Sequence, residues 1–341
     1  MTKIKDIAKK LNLSVSTISK GLSGATDISE DTRQMILNTA LEMGYTPKKR
    51  QSQAGGKDAS PVRVCVLIEN MGYDHIGQFG YEIIVGFRLA AASKQWTVDI
   101  VPLALGSQFD SEYEEYMLKN QYSAGFLLGF TLHSELLRQL ERTRIPTVLL
   151  DNVVQNPVVT CVGIDNQGGI SAAVEHLASL GHKHIALLNG EACSRVAHER
   201  MDGFRMGLER CGLPFEQELV VHDDFHTSAE GHYAESFLRK GATGIVCASD
   251  LLAHSVLAEL YRMKIAVPDR VSVTGFDDIP LSKYTTPPLT TIRQDRLAIG
   301  RSVCLAMEQI MERNTINRIL LMPELVVRDS TGQARSGGFY V

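Results

Sequence analysis

The chain has 341 residues, of which 44% are apolar and 22% charged, as in a soluble globular protein with two or three domains. No apolar run approaches the roughly 18 residues of a membrane span, and the polar first ten residues lack the apolar stretch of a secretion signal. The six cysteines form no CxxC pair, which favours reduced thiols over disulfides or a zinc site. We therefore expect a cytoplasmic protein with no membrane association.

The charge is divided unevenly along the chain. Residues 1–50 carry a net charge of +4, whereas the remaining residues carry −8. A small basic head on an acidic body is typical of a module that binds a polyanion, joined to a part with another task. A solvated basic helix face explains the same charges, so both interpretations stay open at this point.

Apolar stripes at helical spacing predict three short helices within residues 1–47. The stripes consist of Ile4, Ile7, Ala8 and Leu11, then Val15, Ile18 and Leu22, then Ile36, Leu37, Ala40 and Leu41. Ser14 and Ser29 stand where the N-caps of the second and third helices are expected. Three short helices with a tight turn between the first two predict a helix-turn-helix domain.

The outward face of the predicted second helix carries short side chains and a single cation. Its members are Val15, Ser16, Thr17, Ser19 and Lys20. Short side chains let a helix lie deep in the DNA major groove, where hydroxyls and a cation meet base edges and phosphates. We therefore predict that this helix contacts DNA; a Ser/Thr-rich helix with no such role is the alternative.

The segments KDIA (5–8), LSVSTISK (13–20), ISEDTR (28–33) and GYTP (44–47) resemble the DNA-binding domain of the lactose-repressor (LacI/GalR) family. Further segments, among them RMDGF (200–204), GFDD (275–278) and ELVVRDST (324–331), extend the resemblance over nearly all of residues 1–332. The resemblance implies base contacts by Val15, Ser16 and Lys20. It also implies that Thr17 and Ser19 hold the phosphate backbone.

Two departures from the family pattern affect the expected DNA contacts. Lys20 stands where the family usually has arginine, and lysine lacks the bidentate fork that selects guanine. Ala54 stands at the position of a leucine that wedges into the minor groove, and its side chain is too small to open a base step. We therefore expect weak DNA bending and phosphate contacts from Lys48, Lys49 and Arg50.

From Val62 onward, apolar runs alternate with helical segments, which predicts parallel sheets covered on both faces. The predicted strands are 62–68, 97–102, 125–128, 146–150, 161–164, 184–188, 219–221, 244–248, 271–274 and 324–328. The predicted helices are 79–95, 110–120, 133–143, 167–180, 196–211, 228–240, 250–263 and 294–313. The expected fold is α/β, with the helix-turn-helix domain followed by two doubly wound lobes and a cleft between them.

The resemblance implies that this body is periplasmic-binding-protein-like and binds a small effector between the lobes. The predicted domains are the DNA-binding domain at 1–47, a hinge at 48–61, an effector-binding and dimerisation domain at 62–332 and a tail at 333–341. Within the body, we expect one lobe at about 62–163 and 293–322. The other lobe is expected at about 164–292 and 323–332.

Loops after the predicted strands carry groups suited to a polyhydroxylated ligand, because vicinal hydroxyls pair well with carboxylates and guanidinium. The candidate effector residues, which the resemblance also supports, are Phe79, Asp151, Arg200, Phe225, Asp250 and Asp277. His226 is the alternative to Phe225, and structural ion pairs are the alternative for Asp151 and Asp250. Loop 69–79 and Gly129 depart from the family pattern, so the resemblance does not identify the effector.

Two polar segments suggest other chemistry. His222, Asp223, Asp224, His226 and His232 are metal-ligand types, but their spacing fits no metal motif. The neighbouring carboxylates Asp277 and Asp278 are accompanied by no nucleophile motif. We therefore expect no metal, no cofactor and no enzymatic activity.

These patterns together predict a nucleoid-associated transcription regulator that acts as a repressor. We expect a homodimer on a pseudo-palindromic operator in double-stranded DNA, and a small-molecule effector of the carbohydrate class. Closure of the lobes would change the spacing of the two heads, and a tail without leucine heptads predicts dimers rather than tetramers. The alternative is a sugar-binding receptor or hydrolase with a vestigial head.

Overall fold

The computed structural model describes residues 3–23, 28–29, 32, 35–36, 39–40, 43, 62–76, 78–103, 112–223 and 232–334. The chain forms two compact units. The first unit comprises Met1–Asp74, Glu82–Gly163 and Leu297–Ile319, and the second comprises His75–Tyr81, Ile164–Arg296 and Leu320–Val341. Within the described residues, no helix has both the length and the apolar character to cross a membrane.

The labelled elements are numbered in chain order. The helices are α1 (Ile4–Leu11), α2 (Val15–Ser23), α3 (Phe79–Ser93), α4 (Tyr113–Lys119), α5 (Glu135–Leu140), α6 (Asn166–Ser179), α7 (Arg195–Arg210), α8 (Tyr233–Arg239), α9 (Asp250–Arg262) and α10 (Arg296–Met311). The strands are β1 (Arg63–Ile68), β2 (Thr97–Pro102), β3 (Ala124–Leu128), β4 (Thr147–Leu150), β5 (Val159–Ile164), β6 (Ile185–Asn189), β7 (Val220–His222), β8 (Gly244–Cys247), β9 (Ser272–Asp277), β10 (Thr290–Arg293), β11 (Arg318–Leu321) and β12 (Glu324–Val326).

The turn between α1 and α2 has the geometry that the sequence predicts. Asn12 ends α1 in the left-handed conformation (φ 53°), which asparagine tolerates better than most residues. The Ser14 hydroxyl then accepts a hydrogen bond from the Thr17 backbone N–H at 3.0 Å. Ser14 therefore caps α2, which places the two helices in a helix-turn-helix arrangement.

A small apolar core holds the head together. Ile7 and Ala8 of α1 and Ile18 of α2 are buried with Ile36 and Ala40. The described residues Thr32, Met35, Ile36, Thr39 and Ala40 are helical, as expected of the third helix, whose bounds and whose Leu37 and Leu41 lie outside the described residues. The predicted apolar stripes thus meet in one core.

Two six-stranded sheets form the body. The first has the order β11-β5-β4-β3-β1-β2, and the second has the order β12-β10-β9-β8-β6-β7. In the second sheet, β6 to β10 pair in parallel, whereas β12 is antiparallel to β10. The second sheet is therefore parallel as predicted, apart from the antiparallel edge strand β12.

Every strand predicted for the body is present, with ends displaced by at most three residues. Two strands were not predicted. β10 contains two threonines that are buried despite their hydroxyls, and β11 is an edge strand with no fully buried residue. β10 therefore lacks a continuous apolar run, whereas β11 contains the apolar residues Ile319, Leu320 and Leu321, which the sequence prediction passed over.

The first sheet buries side chains from α4 and α5 on one face. Tyr113 and Met117 of α4 and Leu136 of α5 pack with Cys65 and Leu67 of β1. Helices α3 and α10 approach so closely that a Cβ on Gly300 would collide with the backbone of Ile83 and Phe87. Glycine is therefore required at this crossing.

The second sheet buries α8 and α9 on one face. Phe237 of α8 and Leu252 and Val256 of α9 pack with Ile245 of β8 and Val273 of β9. Because β6, β8, β9 and β10 pair in parallel, their carboxyl ends lie together at one end of the strands, which we call the carboxyl edge. Ligands of doubly wound sheets bind at such edges.

Candidate functional site

The outward face of α2 is as polar as the sequence predicts. Val15, Ser16, Ser19 and Lys20 are exposed, whereas Ile18 is fully buried. Val15 leaves 45% of its surface in solvent although it is apolar. An apolar side chain with this exposure, beside hydroxyls and a cation, suits contact with base edges in the major groove.

Thr17 is placed differently from its neighbours on α2. It is half-buried, and its hydroxyl lies 2.8 Å from the Ser14 hydroxyl, which also contacts the Ser16 hydroxyl at 2.7 Å. These hydrogen bonds therefore order the first turn of α2. The other predicted DNA contacts, Lys48, Lys49, Arg50 and Ala54, lie outside the described residues, as do Phe225 and His226.

Arg200 lies at the centre of a buried polar network in the second unit. Its Nε donates to Asn166 Oδ1 at 3.0 Å, and its Nη1 donates to the carbonyl of Ala248. Its guanidinium carbon stacks 3.9 Å from the centroid of the Phe276 ring. The side chain is only 5% exposed, so helix α7 holds a cation in a fixed position beside the carboxyl edge.

A second layer of polar contacts orients the partner of Arg200. Asn166 begins α6, and its Nδ2 donates to Glu199 Oε2 at 3.0 Å. Arg195 in turn pairs with Glu199 at 3.1 Å, one helical turn away on α7. Because the Asn166 amide nitrogen is engaged in this way, its oxygen faces Arg200.

Asp277 ends β9 at the carboxyl edge. Its Oδ1 accepts a hydrogen bond from Gln294 Nε2 at 2.7 Å, and its carbonyl accepts one from Arg296 Nη1 at 2.8 Å. Phe276, which carries the Arg200 stack, is the preceding residue. The strand end therefore brings the predicted carboxylate and the predicted guanidinium to the same part of the second unit.

The next residue, Asp278, is bound by two arginines. Arg293 Nε and Arg328 Nη2 donate to its two oxygens at 2.7 and 2.6 Å. Burial alone would raise the pKa of Asp278, but the hydrogen bonds from these two arginines hold the pKa below its ordinary value. This carboxylate is therefore ionised at neutral pH and engaged with protein groups.

Asp250 is fully buried at the first turn of α9. Its carboxylate accepts hydrogen bonds from the Ile279 N–H at 2.8 Å, the Ser282 hydroxyl at 2.6 Å and the Thr291 hydroxyl at 2.5 Å. Burial, and then the nearby charge of Asp277, raises the pKa of Asp250 to about 7. Three internal donors favour the structural alternative for this residue over direct ligand contact.

The remaining described candidates lie elsewhere. Asp151 follows β4 in the first unit with a left-handed backbone (φ 56°), and a Cβ on Gly163 would collide with its carboxylate. Phe79 is half-buried at the first position of α3. Gly129 has φ 79°, and a Cβ there would collide with the Glu69 carbonyl, which explains why no hydrogen-bonding side chain stands at this position.

Sequence reasoning missed the residues that support the charged candidates. Asn166, Gln294, Arg293 and Arg328 belong to no chemical motif, although Asn166 and Arg328 fall in segments that resemble the family. The position of Arg328, between an apolar strand and a polar tail, is the one local pattern that could have indicated its buried ion pair with Asp278. The others become visible only when distant segments are brought together by the sheet.

The histidine-rich segment shows no metal centre in the part of the chain that the structure describes. No group of three or more His, Cys, Asp or Glu side chains gathers there. His222 Nδ1 instead donates to the Gly190 carbonyl at 3.0 Å, and Asp223 accepts a hydrogen bond from the Tyr233 hydroxyl.

Comparisons with known proteins identify the family of the chain. A family model for bacterial regulatory proteins of the lacI family matches residues 3–48, and one for a periplasmic binding protein-like domain matches residues 174–331. The transcriptional regulator MalR of Streptomyces coelicolor is 30% identical over 345 residues, covering 98% of this chain and 97% of its own. The transcriptional repressor CytR of Escherichia coli is 29% identical over 332 residues, covering 96% of each chain.

A solved structure shares the fold. The lac repressor dimer bound to operator and the anti-inducer ONPF superposes with a TM-score of 0.68 at 23% identity, covering 97% of this chain and 99% of that chain. The predicted α/β architecture with an N-terminal DNA-binding domain is thereby confirmed. The chain belongs to the lacI family of bacterial regulatory proteins and is a DNA-binding transcription regulator of that type.

Proposed function

We propose that the protein is a repressor that binds a pseudo-palindromic DNA operator as a homodimer through α2, and that a carbohydrate-type effector controls this binding. The observation that carries the proposal is the outward face of α2, where Val15, Ser16, Ser19 and Lys20 are exposed over a buried Ile18. A helix with this face has base-edge and phosphate partners available in a major groove. A homodimer would place two such helices in successive grooves.

The effector class is proposed from the chemistry of the carboxyl edge. Arg200, held against the buried Phe276 ring, and the Asp277 carboxylate supply a guanidinium and an acceptor in one region. Vicinal hydroxyls of a sugar or nucleoside pair with guanidinium and carboxylate groups. A coupling free energy of about 1–3 kcal/mol between effector and operator would change operator affinity roughly 5–150-fold.

The test begins with selection of a binding site from a random DNA pool, with and without D-ribose, cellobiose and cytidine. Lys20→Ala should weaken binding to the selected site about 5–150-fold and reduce the slope of log affinity against log salt if its cation meets a phosphate or a base. Lys183→Ala is the matched control, because Lys183 is an exposed lysine of the second unit. Equal effects of the two substitutions would contradict the role of α2.

A further inference from the structure

The corner that follows β9 has an unusual backbone. Asp277 has φ 121° and Asp278 has φ 50°. A φ of 50° lies in the left-handed region that aspartate tolerates, whereas 121° is a conformation that side-chain-bearing residues rarely adopt. Such a conformation persists only where surrounding interactions hold it, and these conformations cluster at functional sites.

Two arginines from separate parts of the chain hold this corner at Asp278. Arg293 Nε bonds one carboxylate oxygen at 2.7 Å, and Arg328 Nη2 bonds the other at 2.6 Å. The side chain of Asp278 is 3% exposed and that of Arg328 is 13% exposed, so this ion pair is screened less than a surface pair, whereas Arg293 leaves 40% of its side chain in solvent. The corner is therefore fixed from β10 and from the segment after β12.

Arg328 is itself held in place. Its Nη1 donates to the Leu289 carbonyl at 2.7 Å, and its backbone N–H donates to Thr290 Oγ1 at 2.9 Å. Arg293 has a second partner in Glu324, at 2.9 Å, which is 68% exposed. The more rigid of the two supports is consequently Arg328, and the Glu324 contact is peripheral.

We infer that Asp278, Arg293 and Arg328 are positioning residues that hold Asp277 in its strained conformation and so present the Asp277 carboxylate to hydroxyl groups of the effector. This inference rests on the proposed function for the ligand class, a polyhydroxylated molecule. Gln294 Nε2 bonds one oxygen of Asp277, which fixes the direction of the carboxylate once the backbone is held. The three positioning residues act through Asp277, and no contact of theirs with the effector is required.

The binding test compares Arg328→Met and Asp278→Asn with the control Glu324→Gln. D-ribose, cellobiose and cytidine are screened with the wild-type protein by thermal shift, and the one that raises Tm most is titrated into each variant. We expect at least roughly 10-fold weaker binding for Arg328→Met and Asp278→Asn and less than about 2-fold change for Glu324→Gln. Wild-type affinity in both positioning variants would overturn the inference.

A second readout needs no ligand. Crystal structures of ligand-free Arg328→Met and Asp278→Asn should show the backbone of residue 277 outside the region near φ 121°. If both variants keep that conformation, the positioning role is refuted even when binding is lost. If none of the three probes shifts the wild-type Tm, the proposed effector class fails, and the two crystal structures alone decide the positioning role.

Discussion

Replacement of Arg200 by methionine tests the buried network of the second unit most sharply. The substitution removes the donors to Asn166 Oδ1 and the Ala248 carbonyl, and it removes the stack on Phe276 at 3.9 Å. Each buried acceptor left without a donor costs about 1–3 kcal/mol, and a desolvated cation–π contact contributes about 2 kcal/mol. The substitution also removes a buried charge, and the desolvation free energy that is no longer required offsets part of this loss.

The net expected loss is roughly 3 kcal/mol of unfolding free energy, which corresponds to a fall in Tm of about 6–12 °C for a unit of this size. The control is Arg210→Met on the same helix, because Arg210 pairs with Glu175 at 3.1 Å while its side chain is 59% exposed. An exposed pair of this kind contributes less than about 1 kcal/mol. Differential scanning calorimetry measures the Tm of both variants. Equal Tm losses, or an unchanged Tm for Arg200→Met, would show that the buried contacts of Arg200 do not stabilise the second unit.

Three further predictions concern other parts of the molecule. The pKa of Asp250 is raised to about 7 in the folded state, so between pH 4 and pH 7 the folded protein holds a proton that the unfolded chain, with its ordinary pKa of 3.8, has released. The unfolding free energy should therefore fall by up to about 4 kcal/mol as the pH rises from 4 to 7. Urea titrations at several pH values measure this fall, and Asp250→Asn should not show it. Gly300→Ala should lower the unfolding free energy by about 1–3 kcal/mol, because the new Cβ meets backbone atoms of α3 that cannot rotate away. The control Ala92→Ser, on the exposed side of α3, should leave the unfolding free energy unchanged. Ala54→Leu should increase the DNA bend angle and operator affinity in gel-shift phasing assays if a side chain at this position acts as the minor-groove wedge, and no change in either would contradict that role.

Local patterns predicted much of the fold because the apolar residues that form them are the residues that the fold buries. The strands β1, β3 and β6 are continuous apolar runs, and the structure buries nearly all of their residues. In the head, the helical spacing of Ile7 and Ile18 likewise identified the side chains that meet in the core. These elements can be predicted without knowing which distant residues they contact.

The candidate site could be predicted only in part, because its supports are distant in sequence. Arg200, which lies on helix α7 rather than in a loop, and Asp277 were predicted from their charge and from the family-like segments that contain them, but Asn166, Gln294 and Arg328 acquire their roles only when the second sheet brings them to the same edge. β10 escaped prediction for the same reason. Its threonines are buried because their hydroxyls find partners in Asp250 and Arg328, which no local pattern reveals.

The most direct test of the central claim, that α2 places this protein on specific DNA, is the affinity of the full chain for its selected site measured across salt concentrations. We predict a log affinity that falls linearly with log salt, and binding to the selected site at least roughly 1,000-fold tighter than to a scrambled duplex. A protein that binds the selected and scrambled duplexes equally at every salt concentration would contradict it.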